Sequence, residues 1–277
     1  MKTVTKEILK KIYKTRHPWS HKGNFGKVLV VGGSKKYTGA PTLVGLAALK
    51  AGADLVTVVA PERAANVAAN FPDLVSYPIK GEMFNKWHVA QILELAKEAD
   101  SLIIGNGLGK NNATVDFVLS LLNKVELPCI IDADAIHAFK NKIMSLKPNH
   151  VLTPHSFEFF TLTGLMPGNK IEHRIKFVRQ ITNNTKTTIL LKGSIDVISN
   201  GRQLLLNKTG NPYMSVGGTG DSLVGICGAL LARGVDTLDA ASAAAYINGA
   251  AGDFAYREKG VSLCSTDVIN NIYKVLK

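Results

Sequence analysis

No stretch of this chain holds the ~18 uninterrupted apolar residues that a membrane-crossing helix needs. The Lys-rich start runs into no apolar core of the kind a secretory leader carries, so a cytoplasmic protein is the expectation. Cysteine is scarce. Cys129, Cys227 and Cys264 are odd in number, widely spaced and form no Cys-x-x-Cys pair, which argues against both a disulfide framework and a zinc site. They are expected to be buried thiols. No linker, repeat or low-complexity tract interrupts the chain, so its 277 residues are expected to form one domain, 1–277. The first β-rich run is not followed by Gly-x-Gly-x-x-Gly, which removes the Rossmann dinucleotide fingerprint.

Acidic residues are also in short supply, 21 against 33 Lys and Arg, leaving a formal charge of +12. Clustered cations neutralise nucleic-acid phosphates and drive non-specific binding. Here, however, Lys2, Lys6, Lys10, Lys11, Lys14 and Arg16 interleave with Ile8, Leu9, Ile12 and Tyr13. That spacing predicts an amphipathic helix whose basic face is solvated. No recognisable nucleic-acid fold accompanies the charge, so neither nucleic acid nor membrane is an expected partner. A positive field still helps to gather a substrate that carries several phosphates.

What the chain does have is 46% hydrophobic content arranged in alternation. Short runs apolar on both faces fall at 27–31, 55–60, 102–105, 129–132, 151–153 and 188–191, the pattern of buried parallel strands. Helical periodicity lies between them at 41–50, 85–97, 113–122 and 171–181. This alternation predicts an α/β fold, doubly wound, with a mainly parallel sheet and helices on both faces. Residues 196–199 and 202–206, joined by Asn200-Gly201, form a hairpin signal and are expected to make an antiparallel edge. Helices alone follow, at 221–232, 237–256 and 265–275. In such folds ligands bind beyond the carboxyl ends of the strands. Gly32-Gly33, residues 105–109, Asp132 and Asp134, residues 153–155 and residues 192–194 all fall at such ends.

Gly217-Gly218-Thr219-Gly220-Asp221 carries the most chemistry, because glycine-rich backbone feeding a helix start is a cradle for anions. A carboxylate there repels phosphate, so Asp221 makes best sense facing a second reactant that the phosphate must meet. The alternative is a glycine turn with Asp221 as a helix-start residue. His155, three residues before Glu158, is either a structural histidine or a site group. Lys192 at a strand end either meets phosphate as a point charge or flanks a turn. Asp132 and Asp134 either hold magnesium through water or cap a helix.

Asn211-Pro212-Tyr213-Met214-Ser215-Val216 followed by Gly-Gly-Thr-Gly-Asp resembles the signature of the ATP/ADP-dependent NAD(P)H-hydrate dehydratases of the ribokinase-like superfamily. The resemblance extends over nearly the whole chain. It includes His21-Lys22-Gly23-Asn24-Phe25-Gly26-Lys27, Tyr37-Thr38-Gly39-Ala40-Pro41, Gly107-Leu108-Gly109, Asp132-Ala133-Asp134-Ala135, Thr153-Pro154-His155 and Lys192-Gly193. It implies a ribokinase-like enzyme that dehydrates the S form of hydrated NADH or NADPH and consumes ADP or ATP with Mg2+. Asp221 is then the catalytic base, with Ala40, Gly107, His155 and Asp221 at the substrate. Lys192, Gly193, Ser194, Ile195, Asp196, Gly218, Thr219 and Gly220 are then at the nucleotide. No metal ligand is assigned. A homo-oligomer, with a tetramer among the options, is implied as well, and the relatives of this architecture point to ADP as the better donor. The chain departs from the family at Asn106, where Pro is usual, at Phe157, where Gly is usual, and at Asp196, where Thr is common. A small-molecule kinase of the same superfamily, which would retain the phosphate, is the alternative, and a basic nucleotide-binding or nucleic-acid-binding module without catalysis is a further one.

Overall fold

The computed structural model describes residues 2–277. Its strands are β1 (Lys2–Thr3), β2 (Lys27–Val31), β3 (Leu55–Pro61), β4 (Val75–Ile79), β5 (Ser101–Ile104), β6 (Cys129–Ile131), β7 (His150–Leu152), β8 (Thr188–Leu191), β9 (Asp196–Ser199) and β10 (Leu204–Asn207). They form one sheet in the order β1-β10-β9-β8-β7-β6-β5-β2-β3-β4. All neighbours run parallel except at β9, which opposes both β8 and β10. The helices are α1 (Glu7–Ile12), α2 (Ala40–Lys50), α3 (Glu62–Ala69), α4 (Val89–Ala96), α5 (Asn112–Lys124), α6 (Ser156–Thr163), α7 (Ile171–Thr185), α8 (Thr219–Ala232), α9 (Thr237–Lys259) and α10 (Ser265–Leu276).

The strands are apolar on both faces because both faces are covered. Val28 and Val30 of β2 pack with Val44 of α2, Val224 of α8, Ile247 of α9 and Ile272 of α10. Leu29 and Val31 pack on the opposite side with Ile92 of α4, Phe117 of α5, Phe159 of α6 and Val178 of α7. The predicted doubly wound, mainly parallel architecture is therefore the observed one. Chain order reverses at β2, with β3 and β4 on one side of it and β5 on the other. A crevice at the carboxyl ends of β2 and β5 follows from that reversal, and such crevices are where α/β sheets hold ligands.

Several expectations need correction. The hairpin is not the outermost edge, because Lys2 and Thr3 pair with Leu205 and Leu206 of β10. Its turn is longer than Asn200-Gly201: Asn200 Oδ1 accepts from the amides of Arg202 and Gln203 at 3.0 and 2.9 Å, an Asx turn that delays the return strand. The basic N-terminal segment is helical only over Glu7–Ile12, because its first residues are drawn into the sheet. Its cations are exposed, and Lys10 and Lys11 pair with Glu7 and Asp239. Cys264 is exposed at the start of α10, outside both cores. Cys129 and Cys227 are buried as expected, and burial pushes both thiols up to about 12. The His21 to Lys27 block leads into β2, whose first residue is Lys27, and lies at the amino ends of the strands. There Asp54 Oδ2 accepts from the amides of Gly23 and Phe25 at 2.9 and 2.8 Å, so its role is to fasten the chain's entry into the sheet. Among the described residues no helix is long and apolar enough to cross a membrane.

Candidate active site

The first turn of α8 is shaped by Gly218. Its φ of +94° is one that side chains rarely adopt, and a Cβ there would stand 2.6 Å from Ser265 Oγ and 2.8 Å from Leu43 Cδ1. The helix consequently opens at Thr219, so Asp221 stands in its third position rather than at its start. The first amide bonded back along the helix is that of Ser222, to the Gly218 carbonyl at 3.0 Å. Among the described residues no side chain caps the turn, so the amides of Thr219, Gly220 and Asp221 are left to face a ligand with the helix dipole behind them. Asn248 of α9 makes the turn rigid, donating to the Thr219 carbonyl at 3.1 Å and bonding Ser222 Oγ at 2.6 Å.

Around Asp221 the strand ends deliver a buried polar network. Asn106, after β5, donates from Nδ2 to Asp221 Oδ1 at 2.6 Å and to Asp132 Oδ2 at 3.0 Å. Asp132, after β6, also accepts from Thr153 Oγ1 at 2.6 Å and Lys192 Nζ at 3.0 Å. Lys192, after β8, lies 3.9 Å from Glu158 Oε2. Burial, then the nearby Asp132 charge, push Asp221 up to about 6, while the Asn106 hydrogen bond and Lys192 pull the other way. Burial works against the Lys192 ammonium, but Asp132 and Glu158 outweigh it and hold its pKa above the ordinary value. Glu158 is raised chiefly by burial, with Lys192 opposing.

Beside this network lies a cleft of about 770 Å³. His155, Lys192, Gly193, Ser194, Asp196, Thr219 and Gly220 line it, so most of the residues assigned from sequence to the nucleotide converge on one cavity. Ile195 does not line it: its side chain packs against the core below. Gly218 shapes the cleft from behind instead of lining it. Asp196 accepts from the Gly193 amide at 2.9 Å and from Asn207 at 3.0 Å, which holds the Lys192 to Ser194 loop in place. His155 caps α6, its Nδ1 accepting from the amides of Phe157 and Glu158, with half of its side chain exposed. Phe157 sits in the first turn of that helix, where no glycine is required.

Ala40 and Gly107 lie apart from this cavity and close to each other. A Cβ on Gly107 would fall 2.8 Å from the Tyr37 side chain and 3.5 Å from Ala40. Asn106 connects them to the rest, since its side chain reaches Asp221 while its carbonyl accepts from Gly33 at 2.8 Å. The departure from Pro at Asn106 therefore does not loosen the loop.

Sequence reading missed four groups that build the site. Asn106 was legible only as a departure from the family pattern. Thr153 was legible as a strand-end residue and as part of the Thr153-Pro154-His155 block, with no role assigned to it. Asn248 and the buried Arg174 carried no local signal. Arg174 reaches from α7 to the carbonyls of Leu191 and Lys192 at 3.3 and 2.7 Å, and a Cβ on Gly193 would meet its guanidinium at 2.5 Å.

These groups leave magnesium few protein oxygens to take. Both Asp132 oxygens already accept from protein donors, and Asp134 accepts from the Gly109 amide at 2.8 Å. Among the described residues no cluster of three or more His, Cys, Asp or Glu is arranged to hold a metal. A cage of protein ligands does not fit here, whereas an ion held by nucleotide phosphates and water needs none.

The sequence pattern of the NAD(P)H-hydrate dehydratases matches residues 28–274. The chain is 39% identical over 280 residues to the ADP-dependent (S)-NAD(P)H-hydrate dehydratase of Nitrosopumilus maritimus, covering 100% of this chain and 97% of that one. It is 40% identical over 268 residues to the bifunctional NAD(P)H-hydrate repair enzyme of Methanothermobacter thermautotrophicus, covering 95% of this chain but 52% of the relative. The chain thus spans about half the length of the bifunctional relatives it matches. Its fold superposes on the ADP/ATP-dependent NAD(P)H-hydrate dehydratase of Bacillus subtilis, co-crystallised with ATP and Mg2+, with a TM-score of 0.82 and 25% identity over 100% of this chain and 99% of that one. A ribokinase-like superfamily protein of Enterococcus faecalis gives a TM-score of 0.86 with 26% identity over 99% and 95% of the two chains. By sequence and by fold, the chain belongs to the NAD(P)H-hydrate dehydratase family.

Proposed function

We propose that this protein dehydrates the S form of NAD(P)H hydrate to NAD(P)H, coupled to hydrolysis of ADP to AMP and phosphate or to hydrolysis of ATP, with residues 1–277 acting as one ribokinase-like domain. The observation that carries the reading is Asp221 in the first turn of α8, beside free amides and 2.6 Å from the Asn106 amide that joins it to the Gly107 loop. In this reading the nucleotide occupies the 770 Å³ cleft, with Lys192 and the amides of Thr219 and Gly220 toward its phosphates. The hydrated nicotinamide lies toward Ala40 and Gly107, and His155, on the cleft lining, is assigned to it as well.

Hydroxide is a poor leaving group and phosphate a good one. Asp221 accepts the proton of the substrate hydroxyl, whose oxygen attacks the terminal phosphorus while the P–O bond to the nucleotide breaks. The α8 amides and Lys192 stabilise the charge that develops on the transferring group. Elimination of phosphate, with loss of a proton from the adjacent carbon, then restores the ring double bond. Magnesium, carried on the nucleotide phosphates, supplies further charge neutralisation when bound. ADP is the donor this reading favours, as in the ADP-dependent dehydratase of Nitrosopumilus maritimus. A cytoplasmic location and assembly into a homo-oligomer, as large as a tetramer, belong to the same reading, and sedimentation of the purified protein measures the latter. The test of function is to mix the protein with hydrated NADH and ADP or ATP and follow the absorbance of the reduced nicotinamide. Recovery that needs nucleotide supports the reading. Transfer of phosphate to a stable product without recovery would establish a kinase instead.

A further inference from the structure

Asn106 touches the proposed base directly, yet the mechanism above gives it no chemical task. It is only 2% exposed, and its Nδ2 serves Asp221 Oδ1 at 2.6 Å and Asp132 Oδ2 at 3.0 Å at once. An amide nitrogen has two hydrogens and an ionised carboxylate only accepts, so one hydrogen is committed to each acid. The reverse orientation would set the amide oxygen against two carboxylates and is excluded by charge. In the observed orientation Oδ1 is buried and meets no partner among the described residues, a cost that the two charge-assisted bonds on the other side must outweigh. The loop does not need this side chain to keep its course. The Asn106 carbonyl accepts from Gly33, the Leu108 amide bonds the Gly105 carbonyl, and Gly105 is packed so closely that a Cβ there would lie 1.8 Å from the Asp132 carbonyl oxygen.

We propose that Asn106 is a positioning residue for the reaction, its amide wedged between two facing carboxylates so that Asp221 keeps its aim and accepts a proton at lower pH than the bare pair would allow. The proposal rests on the reading of Asp221 as the base. The groups that face Asp221 are Asn106 after β5, Asp132 after β6 and Lys192 after β8, with Thr153 after β7 and Glu158 on α6 acting through Asp132 and Lys192. Of these, Asn106 is the neutral donor that touches both acids. Without it Asp221 loses a hydrogen bond that favours its ionised form, and it meets Asp132 unscreened. Both changes make the proton harder to remove.

The experiment uses Asn106→Ala and Asn106→Leu, the second keeping the branched side-chain shape without its hydrogen bonds should the first melt. For each, kcat is measured from pH 5 to 9 in the NADH-recovery assay, together with melting temperature and nucleotide affinity. The expected result is an acid limb moved upward by about one pH unit with nucleotide affinity unchanged. A structural role alone would lower the melting temperature and leave the limb in place. In parallel, the Asp221 carboxyl carbon is titrated by NMR in the free protein and assigned by its loss in Asp221→Asn. It is expected to titrate at higher pH in both variants. Since that arm needs no turnover, failure of wild-type protein to restore NADH would reject the function while the titration still decides the role of Asn106. A limb and a titration that stay put, or move down, in a folded variant would overturn the proposal.

Discussion

Asp221 is asked to be ionised in a place that disfavours it. The helix dipole welcomes a carboxylate in the first turn. Burial and Asp132 nevertheless push its pKa up to about 6. If it is the base, kcat should fall on the acid side with a midpoint near that value, and a pH–rate profile on hydrated NADH checks it. The same shift has a consequence for stability. An unfolded aspartate titrates near 3.9, so the folded chain holds this proton more tightly. The penalty is absent below the unfolded value and grows as pH rises through the window from about 4 to about 6, reaching on the order of 3 kcal/mol at most above it. Asp221→Asn should therefore melt no lower than wild type at pH 7.5, with any advantage gone at pH 4. Its turnover should drop at least about 100-fold, since general-base assistance is typically worth ~10²–10⁴. Calorimetric nucleotide affinity should be retained or improved. Near-normal turnover would show that another group is the base. Asp221 and Lys192 were legible in the sequence because glycine-rich backbone beside a carboxylate, and a lysine at a strand end, each have few physical uses. Asn106 was not, because its value comes from Asp132 and Asp221, which are distant along the chain and adjacent only in the fold.

At the scale of elements, the central strands were readable almost to the residue, since runs covered on both faces leave no polar positions to blur their ends. The edges were not. β4 contains Ser76, Tyr77 and Pro78, and only an edge strand tolerates the missing amide of Pro78. β1 is two residues long and exists because β10 offers it an open edge. Two elements position the candidate site and can be tested separately. Gly218→Ala forces a side chain into a left-handed backbone against Ser265 and Leu43. It should destabilise the protein by about 1–3 kcal/mol and weaken nucleotide binding, measured by thermal melting and calorimetry. Arg174→Met removes the tie between α7 and the carbonyls of Leu191 and Lys192. KM for nucleotide should rise about tenfold with kcat changed far less, because the lost contact orders the loop before and after transfer alike.

For the whole molecule, the doubly wound sheet explains why residues from 40 to 221 meet. Loops after β5, β6, β7 and β8 bring Asn106, Asp132, Thr153 and Lys192 together beside Asp221, and the cleft opens next to them, lined from His155 onward. That convergence was legible, as was the chemistry class, but the particular substrate came from the family resemblance and not from composition or periodicity. The net charge of +12 is spread over solvated side chains, several of them paired. Any binding to duplex DNA should accordingly be weak and collapse as salt rises, as a fluorescence anisotropy titration at two ionic strengths would reveal. In the proposed reaction nucleotide cleavage and dehydration are one coupled event organised by Asp221. It is tested most directly by counting, in the same cuvette, phosphate released from ADP and NADH restored from its S hydrate, for wild type and Asp221→Asn. One phosphate per NADH is expected in the wild type and neither product in the variant. Phosphate without NADH, or NADH restored equally well by the variant, would contradict it.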